Sequence, residues 1–220
     1  MCATMDSEIT LIDYGLGNLF SVARALEHCG ARVIVSSDAE VVRRAPKLLL
    51  PGVGAFDSGI RLLASRGLDQ AIRDAVDAGA PLLGVCLGMQ LLLGSSDEFG
   101  TNQQGLGLIP GRVLVIPVHD SDGRLMKIPH IGWSNLIPAA GRDSWEQTPL
   151  QMTPSGTAMY FVHSFMASPD DPAHRIADCL YGNTRVAAMI GRGKVWGAQF
   201  HPEKSGSAGL AVLRGFLELS

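Results

Sequence analysis

The chain lacks the cysteine and histidine patterns that bind metals. Its four cysteines are widely separated along 220 residues, and neither a C-x-x-C pair nor an H-E-x-x-H motif occurs. A zinc ribbon, a dithiol redox site and a metalloprotease centre are therefore not expected. We predict that the chain binds no metal and uses no cofactor, so that any chemistry falls to its own side chains.

An excess of charge of one sign is also missing, and so is a long apolar run. Eighteen basic and 21 acidic residues give a formal net charge of −3, which offers no basic surface for nucleic acid or for a membrane. The longest apolar stretch, 81–94, is too short to span a bilayer. The first ten residues have no basic and no apolar segment of a secretory signal. We expect a cytoplasmic protein that binds neither nucleic acid nor membranes.

Strand and helix signals alternate over the first hundred residues. Helical spacing occurs at 19–26, across 56–78 with a break near Gly67, and from Cys86 to Leu93. Short apolar strands are predicted between the helices, at 9–13, 31–36, 47–50 and 81–85. This alternation is typical of βαβ units and predicts a parallel sheet.

The second half of the chain reads as shorter strands separated by turns, before a closing helix at 205–219. The strands are predicted at 113–118, 125–128, 133–137, 158–163, 175–181, 184–190 and 194–200, with long loops at 100–107 and 139–156. No composition break or repeat divides the chain. We therefore predict one α/β domain over 1–220, with a central, mainly parallel sheet flanked by helices and extended by antiparallel strands.

A candidate nucleophile lies where the fourth strand meets a helix. The segment Gly84–Val85–Cys86–Leu87–Gly88 is the cysteine form of the G-x-S-x-G nucleophile elbow. The sharp turn requires small neighbours, and the following helix start directs N–H groups at the thiol, which favours its ionised form. No turn of this kind surrounds the other cysteines, for which we expect no chemistry: Cys2, Cys29 and Cys179.

A candidate base and its orienting carboxylate follow the last strand. His201 and Glu203 are two residues apart, so an extended backbone places both side chains on one face. Pro202 favours that extended conformation in the residue before it. A cysteine nucleophile needs a base, and the base needs a third group that fixes its tautomer. No other histidine of the chain has a carboxylate two residues away.

Acyl transfer at Cys86 also requires two donors for the developing oxyanion. The backbone N–H of Leu87, directly after the nucleophile, is one candidate. The loop Pro51–Gly52–Val53–Gly54 is a candidate for the other, because its glycines let the backbone approach a ligand. An ordinary Gly/Pro turn explains the loop equally well at this stage.

Together these segments resemble the class I glutamine amidotransferases, in which a cysteine in G-x-C-x-G acts with a distant H-P-E. More selective segments narrow the resemblance to the glutaminase subunits of histidine biosynthesis. Those segments span most of the chain: Asp13–Asn18, Pro51–Gly54, Gly84–Gln90, Pro129–Trp133, Tyr160–Ser164 and Gln199–Ser205.

The resemblance implies a flavodoxin-like fold and a triad of Cys86, His201 and Glu203 that releases ammonia from glutamine. It implies a heterodimer with a (β/α)₈-barrel cyclase, through which the ammonia passes. The implied substrate contacts are Gly52, Gln90, Glu98, His163 and Ser164, and Gly52, Val53 and Leu87 would form the oxyanion hole. The partner would contact Asn18, His130 and Trp133.

Two departures from the family pattern leave alternatives open. The family reads G-W-N, whereas this chain reads Gly132–Trp133–Ser134–Asn135, and a one-residue slip along a strand moves the amide to the opposite face. Phe165 stands where the family often has tyrosine. These departures keep open a paralogous glutaminase that serves amidation of bacterial surface sugars. Two hypotheses from other classes also remain: a non-catalytic allosteric or scaffold subunit, and a cysteine peptidase.

Overall fold

The computed structural model describes residues 7–98 and 103–219. Its strands are β1 (Glu8–Ile12), β2 (Arg32–Ser36), β3 (Leu48–Leu50), β4 (Leu82–Val85), β5 (Leu93–Ser96), β6 (Gln103–Gln104), β7 (Ile109–Val115), β8 (His130–Pro138), β9 (Ala158–His163), β10 (Phe165–Pro169), β11 (Arg175–Tyr181), β12 (Thr184–Arg192) and β13 (Val195–Ala198). Its α-helices are α1 (Leu19–His28), α2 (Ala39–Arg43), α3 (Phe56–Ser65), α4 (Leu68–Asp77), α5 (Leu87–Leu91) and α6 (Gly206–Glu218).

The main sheet of the described residues has the order β2-β1-β3-β4-β13-β12-β11-β8-β9. The first five strands are parallel, in the 2-1-3-4-5 order of a flavodoxin-like sheet. The other strands of this sheet pair antiparallel. The predicted fold class is confirmed: a parallel core with antiparallel additions.

Helices cover both faces of the parallel strands. On one face, α1 and α6 bury apolar side chains that include Leu26, Leu213 and Phe216. On the other face, α3 and α4 bury Leu63, Ile72 and their neighbours. Each fully buried side chain of this size contributes roughly 1.5–3 kcal/mol. These two cores hold the strand ends at one edge of the sheet in fixed positions.

A second sheet, in the order β10-β7-β5-β6, corrects the sequence prediction around residue 93. The helix predicted to run from Cys86 to Leu93 ends at Leu91, and Leu93 already begins β5. Pairing of β5 with β7 outweighs the local helical pattern. The first three residues of the loop predicted at 100–107 lie outside the described residues.

The strand predicted at 125–128 is wrong. Only an isolated bridge between His119 and Leu125 forms there. The segment instead closes a tight turn in which the buried Asp120 carboxylate accepts hydrogen bonds from the backbone N–H groups of Asp122 and Arg124. The Met126 N–H still donates to the Val118 carbonyl at 2.8 Å, but no strand continues along 126–128.

No helix within residues 7–98 and 103–219 is long and apolar enough to cross a membrane.

Candidate active site

Four parallel strands deliver the candidate site residues to one edge of the sheet. Cys86 follows β4, His201 lies three residues after the end of β13, and Pro51 follows β3. Tyr14, shortly after β1, donates a hydrogen bond from its hydroxyl to the Pro51 carbonyl at 2.8 Å. The carboxyl ends of parallel strands are where flavodoxin-like folds bind ligands.

The turn at Cys86 has the strained geometry of a nucleophile elbow. Cys86 is one of two described non-glycine residues with positive φ, at φ 54° and ψ −109°. A Cβ on Gly84 would lie 2.6 Å from the Gly88 carbonyl oxygen, and one on Gly88 would lie 1.9 Å from that of Leu50. Both glycines are therefore required sterically, as the sequence motif predicts. The strain is maintained because tight packing surrounds the turn.

His201 and Glu203 form a buried pair beside the thiol. His201 Nδ1 lies 2.9 Å from Glu203 Oε1, and each side chain is 3% exposed. Burial lowers the pKa of His201, but Cys86 and Glu203 outweigh burial and raise it to about 9. Within the described residues, His201 Nε2 is buried without a hydrogen bond of good geometry. Glu203 thus fixes the ring through Nδ1 and leaves Nε2 available for proton transfer.

A cavity of about 350 Å³ opens onto Cys86 and His201. Five further residues predicted from the sequence line it: Val53, Leu87, Gln90, His163 and Ser164. Gly52 and Glu98 do not line it. The Glu98 Oε2 accepts a hydrogen bond from the Phe56 N–H at 2.6 Å, at the first residue of α3. The cavity has the size of a pocket for one small molecule.

One predicted oxyanion donor is occupied in this structure. The Leu87 N–H donates to the Gly52 carbonyl at 3.3 Å. The Gly52–Val53 peptide is trans, because the cis bond found among the described residues precedes Pro129. In a trans peptide the N–H points away from the carbonyl, so the Val53 N–H is directed away from Leu87. Neither predicted donor is therefore free to bind an oxyanion in this arrangement.

Packing explains why position 52 is glycine. A Cβ on Gly52 would lie 2.2 Å from the Tyr14 hydroxyl and 3.0 Å from the Leu87 Cβ. Two residues later, Gly54 has φ +115° with no atom within 4 Å of an added Cβ. The loop is therefore packed closely at Gly52 and has open space beside Gly54.

A chain of hydrogen bonds runs from the cavity wall to strand β8. His163 Nδ1 lies 2.7 Å from the Phe165 carbonyl and must donate to it, so His163 Nε2 accepts from His130 Nδ1 at 3.0 Å. His130 Nε2 then accepts from the Ser134 hydroxyl at 2.9 Å. Burial lowers the pKa of both His130 and His163 to about 4. Both rings are therefore neutral at pH 7, in tautomers fixed by the Phe165 carbonyl.

The residues predicted at the partner interface differ in their exposure. Trp133 is 58% exposed, whereas His130 is 2% exposed, so the structure does not place His130 on a surface that a partner can contact. The His130 ring instead stacks between Phe161 and Tyr181. Asn18 is exposed, and its side chain caps α1 by accepting from the Ser21 N–H at 3.3 Å.

The departure from G-W-N has a structural consequence. Asn135 is exposed together with Trp133, two residues before it, whereas Ser134 is half-buried and points inward to His130. The amide therefore lies on the same side of β8 as Trp133. Sequence reasoning missed the Ser134–His130 contact, which would have required knowing how β8 bends between these positions.

The other cysteines lie away from this chemistry. Cys179 is fully buried in β11, and burial raises the pKa of its thiol to about 12. Cys29 is half-buried, with its sulfur 3.5 Å from the Leu210 carbonyl. Cys2 lies outside the described residues. A larger open cleft of about 730 Å³, between α1 and α6, includes Glu203 but neither Cys86 nor His201.

Comparison with known proteins gives a consistent set of relatives. A family model described as "Glutamine amidotransferase class-I" matches residues 10–218. A Legionella pneumophila (strain Lens) protein named "Imidazole glycerol phosphate synthase subunit HisH 1" is 45% identical over 213 residues, covering 97% of this chain and 100% of that protein. A Geobacillus sp. (strain WCH70) protein named "Imidazole glycerol phosphate synthase subunit HisH" is 42% identical over 211 residues, covering 96% of each chain.

Solved structures share the fold at lower identity. A structure titled "Crystal structure of glutamine amidotransferase" aligns with a TM-score of 0.70 at 19% identity, covering 96% of this chain and 97% of that one. "Structure of PurLQS from Thermotoga maritima" aligns with a TM-score of 0.69 at 21% identity, covering 96% and 98%.

Proposed function

The chain belongs to the class I glutamine amidotransferase family, and from that premise we propose that it is the glutaminase subunit of an imidazole glycerol phosphate synthase. It hydrolyses glutamine to glutamate and ammonia. The relatives that carry this subunit name are 42–45% identical to the chain over almost its full length, which favours the histidine pathway over amidation of surface sugars. We assign the whole of 1–220 to one glutaminase domain.

The single observation that carries the chemistry is the strained Cys86 next to the buried His201–Glu203 pair. We propose that the Cys86 thiolate attacks the side-chain amide carbon of glutamine and forms a C–S bond. The tetrahedral intermediate then expels its nitrogen, which takes a proton from His201 Nε2 and leaves as ammonia. The product is a γ-glutamyl thioester on Cys86.

Hydrolysis of the thioester reverses the roles. His201, now neutral, takes a proton from a water molecule that attacks the thioester carbon. The C–S bond breaks, and glutamate leaves with the thiolate restored. Glu203 holds the His201 ring through Nδ1 in both steps, because the two atoms are 2.9 Å apart. A positioned acid–base group of this kind contributes about 10²–10⁴ in rate.

Substrate contacts follow from the cavity wall. We propose that Gln90, His163 and Ser164 surround the amino-acid end of glutamine, since all three line the cavity. Gly52 would contact the substrate only after its peptide turns. Glu98 holds the Phe56 N–H with one carboxylate oxygen, Oε2, and a carboxylate has acceptor capacity for more than one donor. Asn18 and Trp133 remain the proposed contacts of a (β/α)₈-barrel cyclase.

Control of the reaction is proposed to lie in the Gly52–Val53 peptide. With the Gly52 carbonyl on the Leu87 N–H, the oxyanion of the tetrahedral intermediate has no donor. Turning the peptide would remove that carbonyl and bring the Val53 N–H toward the cavity, so that both donors become available together. Loss of one donor costs about 10²–10³ in rate. The subunit is therefore expected to be nearly silent until the loaded cyclase favours the turned peptide.

Reconstitution with a histidine-pathway cyclase tests the proposal. The pair should convert the phosphorylated ribulosyl intermediate to imidazole glycerol phosphate and AICAR with glutamine or with ammonium salt. The Cys86→Ser variant should form product from ammonium but not from glutamine, because the change removes the nucleophile at nearly constant shape.

As a control, Cys29→Ser should retain glutamine-dependent activity. Glutamine-dependent turnover by the Cys86→Ser pair would reject the nucleophile assignment. A wild-type pair that forms product only from ammonium would show that this subunit does not supply ammonia to that cyclase.

A further inference from the structure

Gln199 bridges two residues of the site although its own side chain does not line the cavity. It follows β13 directly and is 0% exposed. Its Oε1 lies 3.1 Å from Gln90 Nε2, and its Nε2 lies 3.9 Å from Cys86 Sγ. One amide therefore connects the residue proposed to hold the substrate with the proposed nucleophile.

The orientation of both amides is fixed by a backbone carbonyl. The Phe165 oxygen can only accept, so the atom of Gln90 that lies 3.2 Å from it must be Nε2. The second hydrogen on this Nε2 points to Gln199, which must then present its oxygen. The nitrogen of Gln199 consequently faces Cys86 Sγ. A flipped Gln199 would oppose two N–H groups and direct an oxygen lone pair at the sulfur.

Two chemical consequences follow from this orientation. Both N–H groups of Gln90 are used inside the protein, so the cavity receives its Oε1, which can only accept hydrogen bonds from a ligand. The N–H of Gln199 donates to the sulfur, and a hydrogen bond donated to an anion stabilises the ionised form. The distance of 3.9 Å makes it a long bond to sulfur, so a modest effect is expected.

We propose that Gln199 is a positioning residue of the active site, which locks the Gln90 amide with its oxygen toward the substrate and donates an N–H to the Cys86 sulfur. The proposal rests on the proposed glutaminase function for its effect on substrate. Its effect on the thiol rests on geometry alone. A buried glutamine with a purely structural role would affect stability but neither of these two properties.

Two substitutions separate the two contacts. Gln199→Met keeps similar volume and loses both the donor and the acceptor. Gln199→Glu is nearly isosteric and keeps an oxygen for Gln90, and its ionised carboxylate cannot donate a hydrogen bond to the sulfur. A protonated carboxyl could still donate, so this variant is compared in the pH range where its carboxyl is ionised. Gln151→Met is the matched control, because Gln151 lies on the surface and its side-chain amide donates to the Gly215 carbonyl and the Glu218 carboxylate, away from the cavity.

Alkylation of Cys86 by iodoacetamide, followed by peptide mass spectrometry as a function of pH, measures the thiol contact. It needs neither glutamine nor partner, so it reports on Gln199 even if the glutaminase proposal fails. Gln199→Met should move the alkylation profile to higher pH and lower the rate at pH 7 by roughly three- to tenfold, the size of one ordinary hydrogen bond, because the contact to sulfur is long. Gln199→Glu should move the profile in the same direction wherever its carboxyl is ionised. Gln151→Met should match the wild type.

Glutamate release by the complex with the cyclase measures the substrate contact. Gln199→Met should raise the KM for glutamine by roughly three- to tenfold, because Gln90 loses an anchor. Gln199→Glu should keep KM within about threefold and lower kcat, since only the contact to sulfur changes.

An unchanged alkylation profile in Gln199→Met, or an equal rise of KM in both variants, would overturn the proposal. If Gln199→Met does not fold, Gln199→Glu decides in the pH range where its carboxyl is ionised: a shifted profile at constant KM supports the proposal, and an unshifted profile rejects it.

Discussion

The two nitrogens of His201 have different tasks in the proposed reaction. Nδ1 is held by Glu203 at 2.9 Å, and Nε2 is left for the proton that the leaving ammonia needs. The pKa of about 9 keeps the His201 ring protonated at pH 7. The residue therefore begins the cycle as an acid and becomes a base only after ammonia has left.

This division of tasks predicts unequal losses on substitution. His201→Ala should lower kcat for glutamine by about 10²–10⁴, because the proton donor is gone. Glu203→Gln should be milder, since its amide oxygen can still accept from Nδ1. Glutamate release by the complex measures both. A larger loss in Glu203→Gln than in His201→Ala would require the roles to be revised.

The neutral pair of His130 and His163 predicts acid sensitivity. The pKa of each is about 4 in the folded chain, below the unpaired value of about 6.5, so the unfolded chain binds more protons between these values. Their stabilisation is present above pH 6.5 and is lost as pH falls toward 4. The thermal midpoint should drop by at least about 5 °C between pH 7 and pH 5.

Substitution of His130 tests whether the two histidines cause this loss of stability at low pH. His130→Phe keeps a ring between Phe161 and Tyr181 but removes one titrating group, so the midpoint should depend less steeply on pH. His28→Phe, at an exposed position on α1, is the matched control and should keep the wild-type slope. If the thermal midpoint of all three proteins depends equally on pH, other groups cause the loss of stability at low pH.

Single residues differ in how far the sequence could predict them. Cys86, His201 and Glu203 are marked by local spacing, because an elbow and an H-P-E turn have fixed geometry over a few residues. Gln199 and Ser134 carry no such mark. Their partners are Gln90 on α5, Cys86 directly after β4, and His130 on β8, and only the folded sheet shows which side chains face each other.

At the scale of elements, the closing helix depends on a residue far away in sequence. Lys47 is 7% exposed, and its Nζ donates to the carbonyl oxygens of Phe216, Leu217 and Leu219 at 3.1, 2.6 and 2.5 Å. These carbonyls end α6, where no later turn can pair them. A cation at a helix C-terminus also interacts favourably with the helix dipole.

Removing this cap predicts a loss of stability. Lys47→Met keeps the apolar stem but leaves the carbonyls unpaired, which should cost about 2–3 kcal/mol. The midpoint of denaturant unfolding should fall accordingly. Lys194→Met, in an exposed turn, should leave the midpoint unchanged. A Lys47→Met midpoint equal to the wild type would show that the α6 end needs no cap.

Elements were predictable where the pattern is local. Strands 158–163 and 175–181 and the break near Gly67 match the structure, because alternation and a helix stop are read from neighbouring residues. The strands β5 and β10 were missed, since each is defined by pairing with β7 rather than by its own short sequence. The helix predicted to Leu93 was shortened for the same reason.

At the scale of the whole molecule, the active site is assembled but its oxyanion donors are not. Cys86, His201 and the cavity are in place, while the Gly52 carbonyl occupies the Leu87 N–H. The glycines of the loop 51–54 made it a candidate for the second donor, with an ordinary turn as the alternative, and in this structure the Val53 N–H is directed away from Leu87. The central claim is that a partner must turn this peptide.

The rate of glutamate release, with and without the loaded cyclase, tests that claim most directly. Once the Gly52 carbonyl leaves the Leu87 N–H, the N–H groups of Leu87 and Val53 should bind the oxyanion together. The loss of one such donor costs about 10²–10³ in rate. The account predicts slow hydrolysis by the subunit alone and at least about a hundredfold increase when the cyclase and its phosphorylated ligand are added. A subunit that alone already hydrolyses glutamine at the full rate of the complex would contradict it.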